Sequence, residues 1–584
     1  MHTPRWVAGI GSIVVAALIN AIPTSASAAT TPPDSDPFYR YTDATPLADI
    51  APGTVLKTRT LTATLPDIPT PVTMIQLLYR TRDQLGKPVA TVTSVLRPPT
   101  PAPTTRLLSY QSFYDALTTR CEPSYTLNGG PTNGTWSNEQ HFVAAFLLQG
   151  FTVVTSDFES QNPAFATGPI YGYETLDGIR AAYGSSTVGL PTGTKVAMAG
   201  YSGGAIATEW ATELAPQYAP DVNSKLLGSA FGGVFVDPVH NLHYVDGSDS
   251  WASVMPLAFI GISRAFALDF DPYLSDYGKQ LVTQLKDDCI GEHSFPGLTF
   301  ASLVRPQYAK PESIPLLVNT ANKLIMSTGG QPTVPMMIRQ GTDGATDEGT
   351  QPSPTYGPGD GVMVAADVRT LARKYCGYGL PVDYAEKPLG HTKQGASFMV
   401  ESIPWLQSLF LGLPATSTCG TIAEGNSIDP VPPGNTEGVR YYPHGNSAFT
   451  CDGKPANFVG TNGADTITGT SHGEVILALG GNDKIVGAES SDTICAGSGD
   501  DRVDGGSGYD RLLGQAGNDS VIGGSGNDYL RGDAGIDVFS GGSGNDYLQA
   551  KDGTADKYLD GGTGRNSAQI DRGDPKPRNA TYKY

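Results

Sequence analysis

A serine at position 202 lies in a stretch whose pattern favours nucleophilic chemistry. Residues 200–204 (GYSGG) match the pattern G-x-S-x-G, which marks the sharp turn between a strand and a helix that exposes a serine. The mostly apolar residues 195–199 predict the strand, and the helix formers at 205–215 predict the helix. Glycines suit this turn because the strained serine backbone leaves no room for neighbouring side chains. The pattern can also be a plain turn in a glycine-rich chain, but its setting here predicts a nucleophile.

A serine nucleophile needs a base, and the chain order in folds with this turn is serine, acid, histidine. Seven of the eight histidines precede the serine, follow it before the later strands, or lie in the C-terminal region. These seven are His2, His141, His240, His243, His293, His444 and His472. His391 remains, in a loop before the last helix of the predicted core. We expect it to take the proton from Ser202 and to return it to the leaving group.

The acid that orients His391 is not fixed by spacing alone. Asp343 follows a predicted strand by a few residues, and Asp347 and Asp360 come later in the same connection. Any of them could reach the imidazole nitrogen that faces away from the serine. All three acids therefore stay open as candidates at this point.

Ester chemistry at a serine also needs two backbone N–H groups that stabilise the oxyanion. One comes from the residue after the nucleophile, which is Gly203. The other comes from the loop after an early strand, and that loop spans residues 111–115. The sequence therefore predicts an oxyanion hole between Gly203 and this loop.

Short β-branched and aliphatic stretches alternate with helical stretches around the serine. Strands are predicted at residues 76–80, 89–96, 107–111, 151–155, 195–199, 335–341 and 380–384, and helices at 141–149, 173–183, 205–215, 362–375 and 395–410. This alternation indicates a mostly parallel sheet with helices on both faces. Together with the turn at Ser202 it predicts an α/β-hydrolase domain over residues 29–419.

The alternation stops between about residues 231 and 326. Residues 251–273 are strongly apolar, which fits either an ordinary core helix or a cap over the site. A cap lined by four of these side chains would bury an acyl chain, at about 0.8 kcal/mol for each CH₂ group. The four are Phe259, Ile260, Phe266 and Leu268.

The N-terminus predicts export. Residues 7–22 are mostly apolar, and Ala-Ser-Ala at 26–28 suits a cleavage site, so residues 1–28 are predicted to be a secretory signal. The alternative is a membrane anchor, but the run is short for a span and ends at Pro23. We therefore expect a secreted, extracellular protein, with association to the cell surface left open.

Cysteine count and charge narrow the function class further. The chain has six cysteines, and an even number in an exported protein predicts three disulfides out of fifteen possible pairings. The net charge is −19, which argues against nucleic acid as a partner.

Short stretches across about residues 45–420 resemble the fungal lipase-A-like secretory lipase family. They are PGTVL (52–56), LLYR (77–80), SYQ (109–111), YDA (114–116), CEPSY (121–125), LDGIR (176–180), GYSGG (200–204), GDGVM (359–363) and YC (375–376). The resemblance implies an α/β-hydrolase with a large cap insertion, acting on triacylglycerols and other esters.

The same resemblance implies roles for single residues. The family's acid corresponds to Asp360, and its oxyanion residues correspond to Asp115 and Gly203. Residues 342–358 are additional to the family pattern, which keeps Asp343 open as the acid. The family's disulfides correspond to Cys121–Cys289 and Cys376–Cys419, which leaves Cys451–Cys495 for the C-terminal part.

The C-terminal part differs in composition from the hydrolase. Residues 420–457 are rich in Gly, Pro, Asn and Ser and predict a linker. A period of nine then begins, in which an acid is followed two residues later by an apolar residue. The acids are Asp465, Glu474, Asp483, Asp492, Asp501, Asp510, Asp519, Asp528, Asp537 and Asp546. Full G-G-x-G-x-D copies, as at 523–528, resemble the calcium-binding repeats of RTX-type proteins, an all-β parallel β-roll over residues 458–570.

Turns eighteen residues apart should stack, because successive turns of such a roll fall on opposite edges. The predicted calcium ladders are Asp483, Asp501, Asp519 and Asp537 on one edge, and Asp492, Asp510, Asp528 and Asp546 on the other. An insertion after Gln549 breaks the period, Asn566 takes an acid's place, and residues 571–584 form a tail. Like-charged carboxylates repel without metal, so we expect the roll to fold with calcium.

The combined interpretation is a secreted serine ester hydrolase, a triacylglycerol lipase, with structural calcium in the roll and no cofactor for catalysis. Its expected partners are a lipid or other ester substrate, a lipid–water interface and a cell surface. Two alternatives stay open. One is a short-chain carboxylesterase or acyltransferase, and the other is a calcium-dependent surface or adhesion protein with a hydrolase-like scaffold.

Overall fold

The computed structural model of the chain describes residues 30–131, 136–430, 434–436, 438–470 and 472–584. The predicted signal at residues 1–28 therefore lies outside the described residues. Within these ranges, no helix has the length and apolar character that crossing a membrane requires.

A nine-stranded sheet forms the centre of the N-terminal part. Its strands are β1 (Val55–Ala63), β2 (Val72–Arg82), β3 (Pro88–Leu96), β4 (Arg106–Gln111), β5 (Phe151–Ser156), β6 (Val196–Tyr201), β7 (Leu226–Gly232), β8 (Met336–Gly341) and β9 (Val382–Lys387). Their order is β1-β2-β3-β5-β4-β6-β7-β8-β9, and the strands from β5 to β9 in that order are parallel. The predicted mostly parallel sheet is confirmed, with β1 and β7 additional to the predicted strands.

Thirteen α-helices accompany this sheet in the described part of the chain. They are α1 (Pro123–Thr126), α2 (Trp136–Leu148), α3 (Gly168–Gly184), α4 (Gly203–Tyr218), α5 (Pro220–Asn223), α6 (Pro238–Val245), α7 (Val254–Phe266), α8 (Asp276–Leu285), α9 (Phe300–Leu303), α10 (Pro315–Ala321), α11 (Gly344–Glu348), α12 (Ala365–Gly377) and α13 (His391–Phe410). One buried cluster joins Ile179, Trp210 and Leu371 of α3, α4 and α12. A second joins Phe146 and Leu406 of α2 and α13. The sheet is thus enclosed between two apolar layers.

Helices α6 to α10 fill the connection between β7 and β8 and form the cap. They share a buried cluster that includes Phe259 and Ile260, against which Phe266 and Leu268 are only partly buried. The predicted start of the cap at residue 231 is two residues early, because β7 keeps residues 231 and 232 in the sheet.

The C-terminal part consists of two sheets packed face to face. Its strands are β10 (Arg440–Cys451), β11 (Lys454–Val459), β12 (Thr466–Thr468), β13 (Val475–Leu477), β14 (Lys484–Val486), β15 (Thr493–Ser498), β16 (Arg502–Ser507), β17 (Arg511–Ala516), β18 (Ser520–Ser525), β19 (Tyr529–Ala534), β20 (Val538–Ser543), β21 (Tyr547–Gln549), β22 (Tyr558–Asp560), β23 (Asn566–Gln569) and β24 (Ala580–Lys583). Odd-numbered strands from β11 to β23 lie in one sheet and even-numbered strands from β12 to β22 in the other. The apolar residue of each repeat, such as Ile494 or Leu530, is buried between the sheets.

Both ends of the roll extend beyond the predicted limits. The predicted linker at 420–457 is too long, because β10 pairs antiparallel with β11 and joins the nine-stranded sheet from residue 440 onward. The predicted tail at 571–584 contains β24, which pairs in parallel with β23. Strands therefore cap the roll at both ends, and these caps lack the repeat pattern that a sequence comparison detects.

Three disulfides join the six cysteines. They are Cys121–Cys289, Cys376–Cys419 and Cys451–Cys495. The first ties the region after β4 to the cap, the second ties α12 to the segment after α13, and the third ties β10 to β15. The pairing agrees with the sequence-based expectation.

Candidate active site

Ser202 occupies the turn between β6 and α4. Its backbone has φ of 55° and ψ of −123°, an uncommon conformation for a residue with a side chain. Its N–H donates to the carbonyl oxygen of Gly232 at 3.0 Å, which fastens the turn to β7. A Cβ atom at Gly200 would lie 2.1 Å from the carbonyl oxygen of Gly204, and one at Gly204 would lie 2.0 Å from that of Gln111. These close approaches explain two glycines of the pattern.

His391, the first residue of α13, lies between the serine and an acid. Its Nε2 is 2.8 Å from Ser202 Oγ, and its Nδ1 is 2.8 Å from Asp360 Oδ2. Asp360 Oδ1 accepts from the backbone N–H groups of Val362 at 3.0 Å and Met363 at 2.8 Å. Asp360 and His391 are both buried. The three side chains thus form one hydrogen-bonded chain.

The other two acids considered from the sequence lie away from the imidazole. Asp343 caps α11 by accepting from a backbone N–H group of that helix. Asp347 accepts from the Gly390 N–H at 2.7 Å. Among the described residues, the carboxylate that is hydrogen-bonded to the His391 ring is that of Asp360.

The loop after β4 brings Asp115 against the nucleophile turn. A Cβ atom on Gly203 would lie 1.7 Å from Asp115 Oδ1, so these two residues are in direct contact. Asp115 itself has φ of 30°. In the described part of the chain, neither the Asp115 N–H nor the Gly203 N–H donates to a protein acceptor. Both groups lie beside the cavity that Ser202 lines and are free to bind an oxyanion.

Two buried carboxyl groups hold this loop in place. Glu159 accepts from the Ala116 N–H at 2.8 Å and from the Tyr171 hydroxyl at 2.7 Å. Glu139 accepts from the Phe113 N–H at 2.7 Å. Burial raises the pKa of Glu139 to about 8, although the hydrogen bonds that it accepts from the Phe113 N–H and the Tyr110 hydroxyl lower it. The loop is therefore fastened on both sides of Asp115.

The electrostatics of the site are dominated by burial and by carboxylates. Burial lowers the pKa of His391, but the nearby charges of Asp360, Glu348 and Asp115 outweigh it and leave that pKa raised. Burial raises the pKa of Asp115 to about 7, while the charge of His391 lowers it. The pKa of His391 and that of Asp115 are therefore both raised, the first by neighbouring carboxylates and the second by burial.

Two cavities meet at Ser202. A narrow one of about 60 Å³ runs under the cap and has mostly apolar walls, including Val245, Met255 and Phe259. A wider one of about 540 Å³ lies on the side of His391. Trp251 borders both cavities, so its ring forms part of the boundary between them.

Two aromatic residues that the sequence did not mark enclose the imidazole. The Tyr201 hydroxyl donates to the His391 carbonyl oxygen at 2.6 Å, and its ring centroid lies 5.0 Å from the imidazole. Trp251 approaches edge-on with a centroid distance of 5.3 Å. Tyr201 fills the variable position before the serine in G-x-S-x-G, which is the signal that could have identified it. Trp251 begins an apolar segment and carries no comparable signal.

The repeat acids form two ladders along the roll. From Asp465 to Asp528, the backbone N–H of each acid donates to a carboxylate oxygen of the acid eighteen residues later, as from Asp483 to Asp501 at 2.7 Å and from Asp492 to Asp510 at 2.9 Å. The ladders contain all eight predicted residues, Asp483, Asp492, Asp501, Asp510, Asp519, Asp528, Asp537 and Asp546.

Buried oxygens on these ladders fit a cation. The second carboxylate oxygen is buried without a partner in Asp483, Asp492, Asp501, Asp510, Asp519, Asp528 and Asp546. Among described residues, no three His, Cys, Asp or Glu side chains converge as a metal cluster. Turn carbonyls would therefore have to supply most of the six to eight oxygens that calcium prefers.

The ladders continue beyond the insertion after Gln549, where the sequence predicted a break. The Asp537 N–H donates to Asp556 at 2.9 Å, and the Asp556 N–H donates to Asp574 at 2.9 Å. On the other edge the Asp546 N–H donates to Asn566 at 2.7 Å. The turns therefore remain stacked through these hydrogen bonds, although the sequence no longer has a period of nine.

Comparison with known proteins agrees with this architecture. Residues 132–418 match the family described as secretory lipase. A Mycobacterium tuberculosis protein named as a probable inactive lipase is 36% identical over 267 residues, which cover 44% of this chain and 58% of that protein. Lipase A of Arthroderma benhamiae is 31% identical over 420 residues, covering 67% of this chain and 82% of that protein. The X-ray structure of Candida antarctica lipase A in its closed state is 26% identical with a TM-score of 0.58, covering 68% of this chain and 91% of that chain.

The fold and its relatives define a lipase-A-like α/β-hydrolase, a carboxylic ester hydrolase by class. The chain belongs to the secretory lipase family. Its C-terminal part matches the RTX calcium-binding nonapeptide repeat at residues 457–485, 468–503, 477–512, 496–530 and 522–554. Calcium binding by this part is therefore supported, and the substrate class is a lipid or other ester.

Proposed function

We propose that this protein is a secreted triacylglycerol lipase that works through Ser202, His391 and Asp360 and an acyl-enzyme intermediate. The observation that supports it most is the hydrogen-bonded chain with 2.8 Å at both of its links. One relative is named as a probable inactive lipase, so the proposal is argued from the contacts of this protein's own residues. The two hydrogen bonds that join Ser202, His391 and Asp360 favour an active enzyme.

The proposed reaction begins when the Ser202 hydroxyl oxygen attacks the ester carbonyl carbon and its proton passes to His391 Nε2. The carbonyl electrons move to the oxygen, which the N–H groups of Asp115 and Gly203 stabilise. The bond to the alcohol then breaks, and His391 gives its proton to the leaving alkoxide. Water repeats the sequence on the acyl-enzyme, releasing the fatty acid and restoring Ser202. Asp360 keeps the imidazole in the tautomer and orientation that these transfers need.

The two cavities suggest how the substrate lies. His391 borders the wider cavity and not the narrow one, and the leaving alkoxide must be within reach of its proton. We therefore place the alcohol in the wider cavity and the acyl chain in the narrow one under the cap. Apolar walls such as Phe259 would stabilise an extended alkyl chain by about 0.8 kcal/mol for each CH₂ group.

The roll is proposed to bind calcium through the aspartates of its two ladders. Calcium would supply positive charge and ligand geometry where buried carboxylate oxygens lack partners. The ladder residues would orient their carboxylates by the backbone hydrogen bonds that link successive turns. Folding of this part after export would follow, since calcium is scarce in the cytosol and the metal-free acids repel one another.

Hydrolysis of p-nitrophenyl esters with acyl chains of graded length tests this proposal. We expect activity on long chains as well as short ones, and a loss of about 10⁴-fold or more for Ser202→Ala. Ser224→Ala, an exposed serine far from the site, serves as the matched control. A Ser202→Ala protein as active as the parent would contradict the mechanism, and activity limited to the shortest chains would indicate a carboxylesterase. Lack of hydrolysis, together with no labelling of Ser202 by a fluorophosphonate, would favour the binding-protein alternative.

A further inference from the structure

The short helix α11 lies in the stretch 342–358 that is additional to the family pattern, and it contacts the start of α13. Glu348 Oε1 accepts from the Thr392 N–H at 3.0 Å. Its neighbour Asp347 accepts from the Gly390 N–H at 2.7 Å. The two backbone N–H groups that flank His391 are therefore both held by carboxylates of one helix. These groups are unpaired at a helix start, so such contacts fix where α13 begins.

The other carboxylate oxygen of Glu348 points to the opposite wall of the site. Oε2 accepts from the Trp251 Nε1–H at 3.4 Å. The Trp251 ring is the one that meets the His391 imidazole edge-on and borders both cavities. One side chain thus contacts both the helix that carries the base and the indole that packs against it.

The Glu348 stem also fills the space between the acid loop and the histidine loop. A Cβ atom on Gly361, the residue after Asp360, would lie 2.6 Å from Glu348 Cβ. A Cβ atom on Gly390 would lie 2.9 Å from Glu348 Cγ. Asp347 Cβ would be nearer still to the Gly390 position, at 2.4 Å, so Glu348 and Asp347 together require glycine at these two positions. The stem acts as a spacer that sets the distance between the loops of Asp360 and His391.

We propose that Glu348 is a positioning residue for His391 and Trp251. This inference rests on the proposed catalytic role of Ser202, His391 and Asp360. Glu348 touches no reacting atom, and it acts through the Thr392 N–H, the indole and its charge.

Several charged groups face the imidazole, and Glu348 is one of few that a variant can remove without touching the reacting groups. Asp360 contacts Nδ1, Asp115 lies across the site, and the Tyr201 phenol packs on the ring. Two further charged or titratable groups lie farther from the imidazole than these: His141 lines the wider cavity, and Lys393 is exposed. Burial lowers the pKa of His391, whereas the charges of Asp360 and Glu348 raise it. Removing the Glu348 charge should therefore lower that pKa.

The test is the pH profile of kcat/KM for Glu348→Gln in the full-length protein with calcium. Glutamine can keep the Thr392 contact while it loses the charge. Since His391 must be neutral to accept the serine proton, we expect the acid limb of the profile to move to lower pH with kcat on the plateau nearly unchanged. Glu348→Ala removes the spacer and both contacts, and we expect kcat to fall by about 10-fold or more, since a displacement near 1 Å can cost about 100-fold.

Asp347→Asn is the matched control, because it removes a neighbouring charge that pairs with Lys393, while asparagine can still accept from the Gly390 N–H. We expect its acid limb to stay where the parent's is. An acid limb that Glu348→Gln leaves in place, or that Asp347→Asn moves equally, would overturn the inference. Thermal unfolding of each variant separates a folding defect from a positioning effect. If Ser202→Ala kept full activity, the proposed mechanism would fail first, and that outcome is distinct from a failure at Glu348.

Discussion

Asp360 holds His391 at two points, with its side chain and with its backbone. The carboxylate oxygen Oδ2 lies 2.8 Å from Nδ1 of the imidazole, and the Asp360 carbonyl oxygen accepts the His391 N–H at 2.6 Å. The loop that carries the acid therefore also fixes the first residue of α13. A change in this loop is expected to move the base as well as the acid.

The side-chain contact can be tested with Asp360→Asn. We expect kcat for p-nitrophenyl butyrate to fall by about 10⁴-fold, the size of loss known for this change in a serine protease triad, because asparagine favours the wrong imidazole tautomer. Asp343→Asn is the control, since Asp343 caps α11 and asparagine caps a helix about as well, so stability and kcat should both change little. A larger loss of kcat at Asp343 than at Asp360 would reverse the assignment of the acid.

The pH profile should reveal the titration of Asp115. Its pKa is raised to about 7, mainly by burial, so the carboxyl is neutral below pH 7 and negative above it. A negative charge in contact with Gly203 opposes the oxyanion, so kcat/KM should decline as pH rises through 7. Asp115→Asn keeps the backbone N–H and cannot ionise. We expect its alkaline limb to move to higher pH, and an unchanged limb would contradict a role for this carboxyl.

The fold could be predicted from the sequence, and Ser202 and His391 could be proposed as reacting residues, because each has a local signal. The glycines around Ser202, the position of His391 after the last predicted strand and the period of nine in the repeats reflect backbone requirements that a sequence displays directly. The acid was harder to identify, since three aspartates share one connection, and the resemblance rather than the spacing favoured Asp360. Its contact with His391 depends on a loop whose course no local pattern encodes.

What the sequence did not reveal depends on long-range packing. Glu348 and Trp251 are 97 residues apart in the chain and meet beside His391 only after the cap has folded. Strand β10, at the end of the roll, was missed because it pairs antiparallel with β11 and lies outside the period of nine. Asp556 was missed because the insertion places it nineteen and not eighteen residues after Asp537. Its place on the ladder is evident only from the hydrogen bond that it accepts from the Asp537 N–H.

The contact between Gly203 and Asp115 leads to a steric prediction. In Gly203→Ala the new Cβ atom would lie 1.7 Å from Asp115 Oδ1, so the buried Asp115 carboxyl must move, with or without its loop. We expect kcat to fall by about 10²- to 10³-fold, the size of effect seen when one oxyanion donor is lost. Gly377→Ala is the matched control, because a Cβ atom there meets nothing within 4 Å at the end of α12. Equal loss in both variants would point to a general effect on folding.

Calcium and protons should compete for the ladders of the roll. Burial and neighbouring carboxylates raise the pKa of Asp492 to about 8 and that of Asp519 to about 7, although a backbone hydrogen bond lowers each. Because these values are raised, the metal-free roll gains stability in acid and loses it as pH rises through 7 to 8. Calcium needs the ionised form, so its affinity should weaken as pH falls below 7, and binding should release protons. Circular dichroism with EDTA or with calcium, at pH 5 and pH 8.5, checks the first expectation, and calorimetry in buffers of different ionisation enthalpy checks the second.

Asp519→Asn tests a single position on these ladders. Asparagine can accept the same backbone hydrogen bond, as Asn566 does from Asp546. We expect this variant to need about tenfold more calcium to fold at pH 7.5, since the charge of the ligands sets the affinity of such sites. With EDTA at pH 8.5 it should be less destabilised than the parent, because one repelling charge is gone. Asp533→Asn is the control, as Asp533 lies outside the ladders and pairs with Arg531. If both variants shifted the calcium midpoint equally, the effect would belong to net charge and the proposed ligand role of Asp519 would be lost.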